Sequence, residues 1–132
     1  MLLVDTSVWI EVFRKPARFD LADFGGLDEV VTCLPIIQEV LQGFRDESAF
    51  RIAQEGMWAL PCVDAPLGAE RFEEAVRLYR LARRGGITPR SAVDCLIAAC
   101  AIRHDLSVLH RDRDFAALAT ISPLRQIDVK RR

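Results

Sequence analysis

The segment Asp94-Cys95-Leu96-Ile97-Ala98-Ala99-Cys100-Ala101-Ile102 constrains this chain more than any other. Eight of its nine residues are apolar, so a helix built from it has no polar face. A helix that is apolar all round is buried. The chain has 132 residues, which allows a single domain, 1–132. A core of that size buries roughly two-thirds of the unfolded surface. The helix must therefore be enclosed by the rest of the chain, and the carboxylate at its head goes in with it.

The remaining pattern says what encloses it. Leu2-Leu3-Val4 reads as a short buried strand, and Thr6 or Ser7 can cap a helix carrying Val8, Trp9, Val12 and Phe13 at helical spacing. Residues 14–29, with Pro16, Gly25 and Gly26, read as loop and a short helix. Val30–Cys33 is a second strand, followed by a helix with Pro35 in its first turn and running to about Phe44. Another helix is expected over 47–57. Ala59–Val63 reads as a strand that Pro61 confines to a sheet edge. A long helix over 67–84 ends at Gly85-Gly86, and Thr88-Pro89 opens the apolar helix, which reaches about His104. Ser107–His110 is a fourth strand, 114–119 a short helix and Leu124–Ile127 a fifth strand, ahead of the basic tail Lys130-Arg131-Arg132. Strands alternating with helices imply an α/β fold with a parallel sheet covered on both faces.

Composition narrows the function classes. At 51% hydrophobic the chain is not disordered, and no run approaches the roughly 18 apolar residues of a membrane span. Asp5 interrupts the first apolar run too early for a signal peptide. At first sight the net charge of −1 argues against a nucleic-acid partner. That average hides a split. Residues 1–76 hold 6 Lys/Arg against 14 Asp/Glu, while residues 77–132 hold 12 against 5. Sixteen of the 18 basic residues are Arg, whose planar fork suits phosphates. The split fits an anionic partner or charge sets that pair across the fold. Cys33, Cys62, Cys95 and Cys100 form no C-x-x-C pair and read as core residues in a reducing cytoplasm. His104 and His110 lack metal-ligand spacing and read as structural.

Five acids stand out because their surroundings are not those of a solvated carboxylate. Asp5 follows a buried strand, at the carboxyl end where open parallel sheets bind ligands, although it could also cap the next helix. Glu39 lies at the edge of the stripe Ile36, Ile37, Val40, Leu41 and Phe44, with Gly43 leaving room beside it; alone it reads as an ordinary boundary residue. Asp94 heads the apolar helix, and Ser91-x-x-Asp94 also has capping-box spacing. Asp112 and Asp114 follow the fourth strand. Asp114 is the better placed of the two to cap the next helix, and Arg111 and Arg113 could pair with them. Gathered carboxylates repel unless a cation sits among them, and oxygen-only donors suit Mg2+ or Mn2+. That is the setting for metal-assisted phosphodiester cleavage. Arg77, Arg80, Arg83 and Arg84 could hold flanking phosphates or simply complement a helix end, with Glu73 pairing to Arg77.

Four ordered segments resemble the PIN-domain ribonucleases, specifically VapC-type toxins of bacterial toxin–antitoxin pairs. They are Leu3–Ile10, Pro35–Arg45, Asp94–Ala99 and Arg111–Phe115, and they span nearly the whole chain. The resemblance implies a three-layer α/β/α fold with a parallel sheet of order 3-2-1-4-5. It implies an acidic pocket of Asp5, Glu39, Asp94 and Asp112, with metal on Asp5, Asp94 and Asp112 and Asp114 as a further member. Thr6 or Ser7 takes the supporting hydroxyl position, and Arg111 and Arg113 lie where RNA would be held. The implied activity is Mg2+- or Mn2+-dependent cleavage of RNA, with tRNA or rRNA favoured over mRNA as the target. The implied partners are a VapB-type antitoxin and a second copy of the chain, in a homodimer and a toxin–antitoxin hetero-oligomer, with no membrane. A housekeeping PIN nuclease and a binding module with a relic pocket are the competing readings.

Overall fold

The structure, a computed structural model, describes residues 1–14, 16–17 and 19–131, the last by its backbone. Lys15, Arg18 and Arg132, and with them part of the expected 14–29 loop and of the basic tail, lie outside the described residues. Five strands, β1 (Leu2–Val4), β2 (Val30–Cys33), β3 (Cys62–Val63), β4 (Ser107–His110) and β5 (Arg125–Asp128), form one parallel sheet of order β3-β2-β1-β4-β5. Six helices connect them: α1 (Thr6–Phe13), α2 (Leu34–Gln42), α3 (Glu47–Ala59), α4 (Ala69–Arg84), α5 (Ala92–Arg103) and α6 (Arg113–Ala119). Short 3-10 turns at Leu21–Phe24 and Leu27–Glu29 fill the expected loop.

Every residue of β1 and β2 is buried, and so are Val108, Leu109 and His110 of β4. Successive strand residues face opposite sides, so both faces of the central sheet are covered. The edges differ, as the sequence suggests. β5 alternates exposed and half-buried residues. β3 has only two residues: Pro61 still accepts from Thr32 N through its carbonyl (2.9 Å), but its ring nitrogen has no proton to extend the ladder.

α5 is buried from Asp94 through Ala101, as its composition requires. It begins later than Thr88-Pro89 suggests. Pro89 is itself buried, the N–H of Arg90 is engaged elsewhere, and Ser91 becomes the cap by accepting from Val93 N at 3.2 Å. α4 ends in a Schellman turn: Ile87 N bonds Ala82 O (2.9 Å) and Gly86 N bonds Arg83 O (3.1 Å), with Gly86 at φ +80°. A left-handed residue is required there, which explains the second glycine of the pair. α4 and α5 then form a helical hairpin, so the arginine-rich end of α4 lies at the same end as Asp94.

Candidate active site

The parallel register puts the carboxyl ends of β1 and β4 side by side, with Val4 opposite Leu109. The pairing continues one step further through Asp5 N to Leu109 O at 2.9 Å. Asp5 therefore leaves β1 beside the loop that carries Arg111 and Asp112. It also caps α1, in place of Thr6 or Ser7, which the sequence offers for that role. Asp5 Oδ2 accepts from Ser7 N (3.0 Å) and Ser7 Oγ (2.6 Å). Ser7 Oγ in turn accepts from Arg111 N at 3.0 Å. One hydroxyl thus ties the ends of two neighbouring strands together. The adjacent Thr6 Oγ1 donates to Glu39 Oε1 at 3.1 Å, which brings α2 to the same place.

The acids after β4 exchange the roles that spacing suggests. Asp112 is the cap of α6, accepting from Asp114 N at 2.9 Å, while its own N–H donates to His110 Nδ1 at 3.0 Å. That acceptor nitrogen sets the tautomer of His110: the proton sits on Nε2 and donates to Gln126 Oε1 at 2.6 Å. His110 is fully buried against Phe115, so it is structural, as expected. Asp114 is buried and does not cap the helix. Its Oδ2 accepts from Arg90 N at 2.8 Å, across 24 residues of sequence.

Asp94, Asp112 and Asp114 each place one carboxylate oxygen within 4.8 Å of the other two. Among the described residues this is the set of three that could hold a metal ion, and Asp5 and Glu39 lie outside it. They remain within electrostatic reach. Burial is the main force raising the pKa of Asp5, opposed by its bonds to Ser7 and reinforced by the charge of Asp112. Glu39 is raised for the same first reason, opposed by Thr6 and reinforced by Asp5 and Asp112. Asp94 is pushed furthest, to about 9, by burial and then by the charges of Asp112 and Asp5. Its Oδ2 is buried with no hydrogen-bond partner among the described residues. The capping-box spacing to Ser91 is not used, because Ser91 caps through Val93 N instead. An orphaned buried carboxylate oxygen beside two further carboxylates is costly unless a cation joins them, so the donor set fits a hard divalent ion.

The surrounding arginines are not equivalent. Arg111 does not pair with Asp112 or Asp114. Its guanidinium bonds Glu11 Oε1 at 2.7 Å, and Glu11 is a buried residue of α1 that sequence reasoning did not single out. Its only sequence signal is its position among Trp9, Ile10, Val12 and Phe13. Arg113 is exposed at the start of α6. Arg77, Arg80, Arg83 and Arg84 are exposed. Arg83 lies 6.0 Å above the Tyr79 ring, and the expected Glu73–Arg77 pair does not form among the described residues. Gly43 is the C-cap of α2, and a Cβ there would make only ordinary contacts with Val40 O and Glu39 O (3.5 and 3.8 Å), so it creates no special room for Glu39.

Residues 2–121 match the PIN domain family model. The chain is also 38% identical over 130 residues to ribonuclease VapC11 of Mycobacterium tuberculosis, covering 95% of this chain and 96% of that one. The chain belongs to the PIN-domain family of VapC ribonucleases. Solved structures show the same PIN fold. VapBC2 of Rickettsia felis, bound to a DNA fragment from its promoter, superposes with a TM-score of 0.74 at 13% identity over 96% of this chain and 97% of that one. A toxin–antitoxin complex from Klebsiella pneumoniae gives 0.70 at 20% identity over 95% and 99%. The acids that converge in this VapC-family chain come from the four segments that carry the family likeness.

Proposed function

We propose that this VapC-family chain is a toxin endoribonuclease that hydrolyses structured RNA, tRNA or rRNA, at the carboxyl end of its sheet. The observation that carries the reading is the buried, unpartnered Asp94 Oδ2 beside Asp112 and Asp114. Asp94, Asp112 and Asp114 would hold a Mg2+ or Mn2+ ion, with Asp5 completing the site. When bound, that ion supplies Lewis acidity, lowering the pKa of water and offsetting charge on the phosphate.

The protein's own groups do the positioning. Ser7 keeps Asp5 Oδ2 engaged, which leaves Oδ1 for the cation. Thr6 holds Glu39 by one oxygen and leaves the other to orient the attacking water. Exposed Arg113, next to Asp112, would meet the backbone of the RNA, while the guanidinium of Arg111 on the other side of Asp112 is held by Glu11.

No helix among the described residues is long and apolar enough to cross a membrane. All four cysteines are free thiols, in keeping with a reducing cytoplasm. Solved relatives of the same fold are toxin–antitoxin complexes, which supports neutralisation by a VapB-type antitoxin. Residues 1–132 would then be one PIN domain whose regulation lies in that partner and in a second copy of the chain. Mapping RNA ends in cells after inducing the chain without its antitoxin tests the reading. New 5′ ends clustered at one site of a tRNA or rRNA are expected. Growth arrest with an unchanged set of ends would count against it.

A further inference from the structure

We propose that Arg90 grips an RNA phosphate beside the one being cleaved, a role that rests on the ribonuclease reading. Its backbone is fixed at every step. The Schellman turn at Gly86-Ile87 launches the loop, Pro89 is buried, and Ser91 caps α5. Arg90 N donates to Asp114 Oδ2 at 2.8 Å. One N–Cα bond of about 1.46 Å then places the Arg90 Cα within roughly 4.3 Å of a member of the acidic trio.

The side chain contrasts with that mounting. Arg90 is exposed and forms no ion pair among the described residues. Arg111, the other arginine whose N–H is bonded into the site, has its guanidinium committed to Glu11. A polyanion approaching a pocket of carboxylates is repelled unless cations at the rim offset the field. A guanidinium is always charged and matches phosphate oxygens two at a time. Because the backbone beneath it is already ordered, Arg90 gives up only side-chain freedom on binding.

The test is steady-state cleavage by the full chain with Mn2+, between 50 and 200 mM salt, of whichever of total tRNA and rRNA the parent cuts. The parent is compared with Arg90→Gln, Arg90→Lys and Arg125→Gln. Arg125 starts β5 at the opposite end of the sheet, bonded to Asp105, and removes the same charge far from the acids. For Arg90→Gln, KM rises about tenfold with kcat within about twofold, the signature of lost binding to a charged group. The salt slope of log kcat/KM falls by about 0.7 to 0.9, one phosphate contact. Arg90→Lys recovers part of the loss, and Arg125→Gln behaves as the parent. The Gln variant keeps the N–H that Asp114 accepts, and an unchanged melting temperature verifies its fold. An unchanged KM and slope in Arg90→Gln, a loss confined to kcat, or an equal loss in Arg125→Gln overturns the role of Arg90. A parent inactive on RNA overturns the ribonuclease reading instead.

Discussion

Asp94→Asn should make the metal-free protein more stable while removing its activity. The Asp94 carboxyl is raised from 3.8 to about 9 in the folded chain, by burial first and then by Asp112 and Asp5. The folded state therefore binds this proton more tightly than the unfolded state. The stability it contributes is complete below pH 3.8 and is lost as pH rises through the window up to about 9. A pH of 7 lies roughly three units above the unfolded pKa and below the folded one, so the stability lost by pH 7 has an upper bound of about 4 kcal/mol at 1.36 kcal/mol per unit. Relaxation of neighbouring carboxylates reduces this, and a gain of about 2 kcal/mol is the expected outcome for the neutral isostere. For a chain of this length that is roughly 7 °C in Tm. The assay is thermal unfolding in EDTA at pH 5, 7 and 9 for parent and variant. The variant's advantage should grow with pH and shrink towards zero near pH 4. Mn2+ should stabilise the parent, by about 2.7 kcal/mol at a hundred times its Kd, and the variant far less. A variant that is less stable at pH 7 in EDTA, or an advantage independent of pH, would refute the electrostatic account of the site.

Other substitutions probe the supports around the acids. Ser7→Ala deprives Asp5 of a donor and Arg111 N of an acceptor, and should cost about 1 to 2 kcal/mol in denaturant unfolding while lowering cleavage. Arg111→Ala leaves Glu11 buried without its close partner and should cost about 2 kcal/mol or more, whereas exposed Arg113→Ala should stay within about 0.5 kcal/mol. Equal costs would remove the distinction drawn between these two arginines. Gly86→Ala forces an L-residue to φ +80° and should lower stability by about 1 to 2 kcal/mol, read as a lower denaturant midpoint with an unchanged m-value.

The fold was legible because the chain states it locally. Leu2-Leu3-Val4, Val30–Cys33 and Ser107–His110 are short apolar runs between helical patterns, and the structure places all three at the centre of the sheet. Asp94 was legible because nothing polar surrounds it in sequence. Features that depend on distant partners were not. On spacing alone Asp114 is the better placed cap; what reverses the order is the N–H of Arg90, 24 residues away, which engages Asp114 and leaves the cap to Asp112. The same bond delays the start of α5 past Pro89. Glu11 looks like an ordinary charge on an amphipathic helix until folding sets Arg111 against it. Arg90 has no signal of its own, because its significance lies in a backbone bond that leaves its side chain untouched.

Cleavage of total tRNA and rRNA by the purified chain, with Mn2+ or with EDTA, tests the central claim most directly when parent, Asp5→Asn and Asp112→Asn are run together. The account predicts defined fragments from the parent with Mn2+, none in EDTA, and none from either variant although both remain folded by circular dichroism. Fragments that persist in EDTA, or that both variants produce at the parent's rate, would contradict it.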